Sequence, residues 1–256
     1  VRMSRLAILI LTRNEEVHIE ACMESASFAD EIVVVDSGST DRTQAIAESK
    51  GARFVTHPMG DDGFAGQRNF ALTQTTADWV FYLDADERIE AAAAEEIRRI
   101  VSEDLPAAYR VERKNIVFGQ LMRHGGHRPD FVYRLYPRTA ICWRGKVHEG
   151  IETDLPRKTL HDVLRHYTYT TWRQYFAKFN QYTSLAAQAM YERGKRVGEL
   201  GALGHAVFTF FRDYLLRGGF LDGFLGFTMS VMASVYTFVK YLKLINLYRC
   251  QDGGRK

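Results

Sequence analysis

Short apolar runs alternate with amphipathic stretches through the first third of the chain. The runs are nearly continuous and rich in β-branched residues, which is typical of parallel strands buried on both faces. They predict strands over residues 6–11, 31–36, 52–55 and 77–83, with helices over 16–27, 41–50 and 66–75 between them. Strands and helices that alternate at this spacing predict an α/β fold with a parallel, doubly wound sheet.

The pattern changes in the second half of the chain. A helix is predicted over 90–102, an irregular and strand-like region follows from Tyr109 to Glu149, and short strands are predicted over 131–136 and 146–148. Past Tyr169 the pattern is helical. We therefore expect two domains, an α/β domain over residues 1–170 and a helical region over 171–256.

Composition limits the class of protein. A hydrophobic content of 46% and a charged content of 25% are ordinary for a globular chain. The net charge of +3 is too small to indicate nucleic acid, although a basic and aromatic second half suits an anionic substrate or surface. The cysteines, Cys22, Cys142 and Cys250, have no metal-binding spacing, and their odd number fits a reducing compartment. The apolar start is too short for a signal peptide.

Asp84 and Asp86 follow the most apolar of the predicted strands. Only Ala85 separates them, so both carboxylates can approach one hard divalent cation, Mg²⁺ or Mn²⁺, which takes further ligands from substrate phosphates. Because ligands of α/β sheets bind at the carboxyl ends of the strands, this pair favours chemistry on a nucleotide-activated substrate. A solvated loop is the alternative.

Two other strand ends carry polar residues that could contact a nucleotide. These are Thr12, Asn14 and Glu15 after the first strand, and Asp36, Ser37 and Gly38 after the second. Asp36 could accept hydrogen bonds from a base N–H or a ribose hydroxyl. Helix caps and turns are the alternative for each residue taken singly. Arg68, at the start of a predicted helix, could pair with a diphosphate.

These motifs resemble family 2 glycosyltransferases of the GT-A fold, the nucleotide-diphospho-sugar transferase fold with a Rossmann-like, mostly parallel sheet. The matching stretches are LTRNE at 11–15, VVDSGSTD at 34–41, QRN at 67–69 and LDADER at 83–88. RHGGHRPD at 123–130, YRLY at 133–136, VHE at 147–149, GGFLDG at 218–223 and KYLK at 240–243 look like the lipopolysaccharide-core glucosyltransferase branch (WaaE- or KdtX-like).

The resemblance implies an inverting enzyme that uses a UDP-sugar, commonly UDP-glucose, and a divalent metal. Asp86 would hold the metal, with Asp84 either joining it or orienting the ribose, and Ala85 would also belong to the nucleotide-binding site. His166 is our candidate for a downstream metal ligand, and His148 is a second one. Inversion requires a base that deprotonates the acceptor; we favour Glu149, with Asp130 as the alternative.

A basic, histidine-rich segment is predicted to bind the acceptor, a lipid-linked oligosaccharide. Its residues are Arg123, His124, His127, Arg128 and Arg134. The alternatives are a polyprenyl-phosphate acceptor, a nucleotidyltransferase and a non-catalytic nucleotide-sugar binding protein. A nucleotidyltransferase would normally carry a Gly-rich basic loop where this chain has Thr12 to Glu15.

The helical region mixes aromatic and basic residues, as membrane-interface helices do. Residues 223–239 form an uncharged stretch of 17 residues, at the short limit for a bilayer span, so a spanning helix is not favoured. We expect a cytoplasmic protein that is peripheral on the inner face of the cell membrane, with homo-oligomerisation through the helices as a further possibility. Packing of these helices on the α/β domain or on another subunit is the alternative.

Overall fold

The computed structural model describes residues 4–145 and 150–253, and it divides into two compact units. The first comprises Val1–Lys114 and Pro129–Tyr167, and the second comprises Asn115–Arg128 and Thr168–Lys256. The chain from Thr168 onward lies in the second unit, whereas the sequence interpretation placed the boundary at residue 170. The second unit also includes the segment 115–128, which the sequence interpretation assigned to the α/β domain.

The first unit begins with the alternating elements that the apolar runs predicted. Its strands are β1 (Leu6–Thr12), β2 (Glu31–Asp36), β3 (Arg53–Thr56) and β4 (Trp79–Asp84), and its first helices are α1 (Ile19–Ser25), α2 (Thr43–Ser49) and α3 (Gly63–Thr73). These strands are parallel in the order β3-β2-β1-β4. The α/β fold class is therefore confirmed.

Alternate side chains of β1 enter two apolar cores on opposite faces of the sheet. Ile8 and Ile10 pack in one core, Ala7 and Leu9 pack in the other, and all four are fully buried. Burial on both faces explains why β1 reads as an unbroken apolar run instead of an alternating one.

Antiparallel strands extend the sheet beyond β4. The remaining elements of this region are β5 (Glu87–Ile89), α4 (Ala91–Ser102), β6 (Ala108–Val117), β7 (Gln120–Leu121), β8 (Phe131–Pro137), β9 (Cys142–Arg144), β10 (Gly150–Glu152) and β11 (Arg157–Tyr169). The order continues β4-β8-β6-β11-β5. The sequence did not predict β11, and the strand predicted over 146–148 lies outside the described residues.

Three long helices dominate the second unit. They are α5 (Trp172–Glu192), α6 (Glu199–Phe211) and α7 (Gly223–Gly253), and α7 packs against both of the others. The Thr171 hydroxyl caps α5 by accepting the N–H of Gln174. After Phe211 the chain makes a π-helical turn, Arg212–Leu216. Many large apolar side chains of residues 200–227 are exposed, among them Leu200, Phe208, Leu216 and Phe224.

Candidate active site at the carboxyl ends of the strands

The ends of β1, β2 and β4 lie side by side in the parallel sheet. The strand register pairs Thr12 with Asp36 and Leu11 with Asp84. The structure therefore brings the three polar clusters of the sequence to one edge, where open α/β sheets bind their ligands.

Asp36 builds the loop that follows β2. Its Oδ2 accepts the N–H groups of Gly38 and Ser39 at 2.8 and 2.7 Å, and its Oδ1 accepts the Ser39 hydroxyl at 2.5 Å. Gly38 has a φ of +99°, which a side chain would strain. Asp36 thus has the turn role that was the alternative reading. Its contact with a nucleotide stays a prediction.

Asn14 fastens the loop after β1 to the loop after β2. It takes up a left-handed conformation with φ of +54°, donates its N–H to Ser39 Oγ at 2.7 Å and accepts the Thr40 N–H at 2.8 Å. The Glu15 N–H donates to Thr43 Oγ1 at 2.9 Å. Thr12 Oγ1 is buried beside them and has no hydrogen-bond partner among residues 4–145 and 150–253. These loops are held rigidly at the sheet edge.

Helix α3 contributes Arg68 and Asn69 to the same edge. Arg68 is buried, lies over the rings of Trp143 at 4.7 Å and Tyr82 at 5.4 Å, and brings Nη2 to 3.5 Å from Asp84 Oδ1. The Asn69 side chain accepts the Trp143 N–H and donates to the Trp143 carbonyl, each at 2.9 Å. The QRN motif therefore positions both a cation and the segment around Trp143.

A buried network of alternating charges lies under the acidic pair. Arg134 donates from Nη2 to Asp84 at 2.5 Å and to Glu87 at 2.6 Å. Arg113 bridges Glu87 at 3.2 Å and Asp130 at 3.0 Å. Glu87 is fully buried, and its Oε1 accepts hydrogen bonds from both arginines.

This network corrects the role assigned to Arg134. The sequence interpretation placed Arg134 in a basic acceptor-binding segment. Its side chain is only 3% exposed and forms ion pairs with two carboxylates. Its strand, β8, pairs with β4 in the sheet, and this pairing brings Arg134 next to the carboxyl end of β4.

The network also fixes protonation at the site. Burial alone would raise the pKa of Asp84, but the guanidinium groups of Arg134 and Arg68 outweigh it and hold that pKa well below its usual range. Burial opposes the charge of Arg134 as well, yet Asp84 and Glu87 raise its pKa. Asp84 is therefore a permanent carboxylate, suited to accept hydrogen bonds and not to exchange protons.

Asp130 forms a bidentate ion pair with Arg113. Arg113 donates from Nε to Asp130 Oδ2 at 3.0 Å and from Nη2 to Oδ1 at 3.1 Å. Both carboxylate oxygens of Asp130 are thus occupied as hydrogen-bond acceptors in this structure. The geometry therefore argues against Asp130 as the proton acceptor. Glu149, the favoured base, and His148 lie outside the described residues.

Asp86 faces a histidine from β11. The antiparallel register sets His166 opposite Glu87, and His166 Nε2 lies 3.5 Å from Asp86 Oδ2. Within the described part of the chain, no cluster of three or more His, Cys, Asp or Glu side chains is arranged to hold a metal. One carboxylate and one imidazole at this separation do fit a cation that takes its other ligands from water and phosphate. Ala85 packs in the core, and its carbonyl accepts from Arg88.

The histidine-rich segment belongs to the helical unit. Asp222 accepts the N–H groups of Arg123 and His124 at 3.0 and 2.8 Å, and its other oxygen lies 3.0 Å from His124 Nδ1. The His127 carbonyl accepts from the Asn115 side chain at 3.0 Å. His124 is therefore a structural partner of Asp222 in this unit. Acceptor binding by Arg123, His127 and Arg128 stays a prediction.

A cavity of about 320 Å³ opens beside Asp84 in the first unit. Its wall contains charged and aromatic side chains, including Arg68, Arg113, Tyr133, Arg134 and Trp143. Gly150, the first described residue after Glu149, is also in its wall. Sequence reasoning missed Arg113 and Trp143, because an arginine or a tryptophan on an irregular strand carries no motif of its own.

Arg134→Met is expected to lower the free energy of unfolding by about 3–5 kcal/mol, because it leaves the fully buried Glu87 and the partly exposed Asp84 without their main counterion. Arg134→Lys, which keeps the charge, is expected to lose less. Arg99→Met removes an exposed ion pair with Glu103 and should cost at most about 0.5 kcal/mol. Urea denaturation of the three variants measures this. Equal losses for Arg134→Met and Arg99→Met would show that the network does not stabilise the fold.

A parallel sheet with carboxylate and hydroxyl side chains at its strand ends is the arrangement expected of an enzyme that binds a nucleotide-activated substrate, and comparison with known proteins identifies the family. The family model "Glycosyl transferase family 2" matches residues 7–168. The chain belongs to glycosyl transferase family 2.

Relatives match over almost the whole chain. An uncharacterized glycosyltransferase of Rickettsia bellii (strain RML369-C) is 30% identical, over 95% of this chain and 86% of that protein. The lipopolysaccharide core biosynthesis glycosyltransferase LpsC of Rhizobium meliloti (strain 1021) is 32% identical, over 93% and 91%. The solved glucosyl-3-phosphoglycerate synthase from Mycobacterium tuberculosis, in complex with Mn²⁺, UDP and phosphoglyceric acid, is 16% identical with a TM-score of 0.45, over 64% and 71%.

Proposed function

We propose that the protein transfers a sugar, glucose from UDP-glucose, onto a lipopolysaccharide core or related glycolipid acceptor with inversion of the anomeric centre. The observation that carries the proposal is the meeting of Thr12, Asp36 and Asp84 at one sheet edge, with the Asp86–His166 pair beside it. The similarity to LpsC, which covers 93% of this chain and 91% of LpsC, supports the class of acceptor.

The donor side of the site is proposed to bind the UDP moiety. Thr12 Oγ1, buried and available, would hydrogen-bond the nucleotide. Asp84, kept ionised by its arginines, would accept from the ribose hydroxyls, and Arg68 would approach the diphosphate. Asp86 and His166 would hold a divalent cation, whose Lewis acidity stabilises the charge of the leaving diphosphate.

The acceptor hydroxyl is proposed to attack the anomeric carbon from the face opposite the diphosphate. The new C–O bond forms as the bond to the diphosphate breaks, UDP leaves with that electron pair, and the hydroxyl proton passes to the Glu149 carboxylate. Because Asp130 is paired with Arg113 through both oxygens, it is not assigned this step. Gly150 in the cavity wall supports Glu149 as the base.

The helical unit is proposed to bring the enzyme to the inner face of the cell membrane as a peripheral protein. Exposed apolar side chains in α6 and at the start of α7 support this, as do Arg212 and Arg217 between them. Among the described residues, one helical stretch, Gly219–Cys250, is long and apolar enough to cross a bilayer by length and composition. Only 28% of the most apolar part of this helical stretch is buried. Self-association through these helices would cover the same side chains.

Titration of the full chain with UDP, UDP-glucose and UDP-galactose, with and without Mg²⁺ or Mn²⁺, tests the donor assignment. We expect calorimetry to detect uridine nucleotides only when the metal is present, with UDP-glucose bound more tightly than UDP-galactose. GDP and CDP are the matched controls. A failure to bind any uridine nucleotide would contradict the donor site, and a preference for another sugar would contradict glucose as the donor.

A further inference from the structure

A second cavity, of about 500 Å³, lies within the helical unit among α5, α6 and α7. Cationic or basic groups and aromatic rings dominate its wall, including His205, Arg212, Lys240, Tyr175, Tyr236 and Tyr241. None of the described residues that line it is acidic. A cavity with this lining favours an anionic ligand over a neutral or cationic one.

Lys240 is the cation of this cavity that lacks a counterion. It is partly buried, and no carboxylate in the part of the chain that the structure describes pairs with it. Its Nζ lies 5.1 Å from the ring centre of Tyr241 and 5.8 Å from that of Tyr236. Burial, followed by the charges of Lys195 and Arg212, lowers the pKa of Lys240. An anion bound beside Lys240 would offset each of these costs.

Arg212 is held at the cavity by a π-helical turn. It donates from Nε to Asp213 Oδ1 at 2.8 Å and from Nη2 to Asp213 Oδ2 at 3.1 Å, and Asp213 is buried. Short π-helical segments are found frequently at functional sites, and the ion pair with Asp213 fixes the Arg212 side chain. Arg212 is therefore positioned before any ligand arrives.

Aromatic faces form the rest of the wall. The His205 and Tyr241 rings stack at 4.9 Å, and Tyr241 is buried to 5% exposure. Rigid rings present flat apolar surface next to the cations, which suits the C–H face of a sugar that carries a charged substituent. Phe208, which also lines the cavity, is 58% exposed on α6, so the cavity lies next to an exposed apolar surface.

We propose that this cavity binds a phosphate group on an amphiphilic ligand, with Lys240 as the principal phosphate-binding cation and Arg212, which keeps its ion pair with Asp213, as a second donor. The identification of that ligand with the acceptor glycolipid rests on the proposed function. The phosphate has two possible sources, a phosphorylated sugar of the acceptor or a phospholipid headgroup. Charge-assisted hydrogen bonds from a partly desolvated lysine and arginine suit a phosphate from either source.

The test is a pair of titrations on the full chain saturated with UDP and Mg²⁺. The first uses glucose 1-phosphate, with methyl glucoside as the uncharged control. The second uses phosphatidylcholine vesicles with and without phosphatidylglycerol. Lys240→Gln is the test variant, Lys240→Arg keeps the charge, and Arg193→Gln removes an exposed cation outside the cavity. UDP binding is measured separately in each variant.

We expect Lys240→Gln to weaken binding about tenfold or more, Lys240→Arg to restore it, and Arg193→Gln to leave it unchanged. Loss with glucose 1-phosphate assigns the phosphate to a sugar, and loss with anionic vesicles alone assigns it to a phospholipid. Binding that is absent from the unmodified chain, or unaffected by Lys240→Gln with both probes, would overturn the inference. If UDP fails to bind while phosphate binding still depends on Lys240, the donor assignment is contradicted and the proposed phosphate site in this cavity is not.

Discussion

Asp86→Ala is expected to reduce sugar transfer by about a thousandfold and to remove the metal dependence of donor binding. The reason is that Asp86 is the carboxylate of the acidic pair that is not engaged by Arg134, and it lies within 3.5 Å of His166. Loss of the cation's Lewis acidity is worth several kcal/mol at the transition state, and each 1.4 kcal/mol is about a factor of ten in rate. Transfer to a glycolipid acceptor and calorimetric titration of UDP with Mn²⁺ measure the two effects.

Matched variants separate this effect from damage to the fold. Asp154→Ala removes an exposed carboxylate from the same unit and should leave both measurements unchanged. His166→Ala should weaken the affinity for the metal and lower transfer less than Asp86→Ala, since an imidazole supplies no negative charge. Undiminished turnover in Asp86→Ala, with an unchanged melting temperature, would remove Asp86 from the metal site.

The parallel half of the sheet could be predicted because its strands are buried on both faces. β1 and β4 are unbroken apolar runs, and the polar residues at their ends follow directly from where those runs stop. β11 could not be predicted in the same way. It carries charged and polar residues along much of its length, and it is stabilised by pairing with strands that are distant in the sequence.

The candidate site shows the same division between local and long-range determinants. Asp84, Asp86 and Asn14 stand in local motifs, so a sequence can indicate them. The choice between their roles depends on partners far along the chain: Arg134 lies 50 positions after Asp84, and Asp222 lies 98 positions after His124. Arg134 was assigned to acceptor binding because other basic residues lie near it in the sequence. In the fold it instead pairs with Asp84 and Glu87.

Asp130 illustrates how such pairing decides a catalytic assignment. The sequence indicated only an acidic residue before a strand. This made Asp130 the alternative to Glu149 as the catalytic base. The Arg113 guanidinium donates to both carboxylate oxygens of Asp130. Arg113 also donates to Glu87, which connects Asp130 to the charged network beneath the acidic pair. Asp130 thus stabilises the charge of Arg113, and we expect a substitution of Asp130 to affect the stability of the fold first.

Glu149→Gln is expected to keep the affinity for UDP-sugar while lowering transfer by about 10²–10⁴-fold, the usual contribution of a general base. The amide is close in shape to the carboxylate but cannot accept the acceptor's proton. Asp130→Asn should give a different pattern. It leaves Arg113 without its paired carboxylate, so we expect a lower melting temperature, with loss of transfer that is smaller than in Glu149→Gln.

The measurements that distinguish the two residues are single-turnover transfer, UDP-glucose binding and thermal unfolding for each variant. A pH profile adds an independent readout, since the acidic limb of kcat/KM reports the ionisation of the base in the free enzyme. That limb should disappear in Glu149→Gln and persist in Asp130→Asn. If Asp130→Asn instead keeps its melting temperature, binds donor normally and loses the limb, then Asp130 is the base and its pair with Arg113 must open when the acceptor binds.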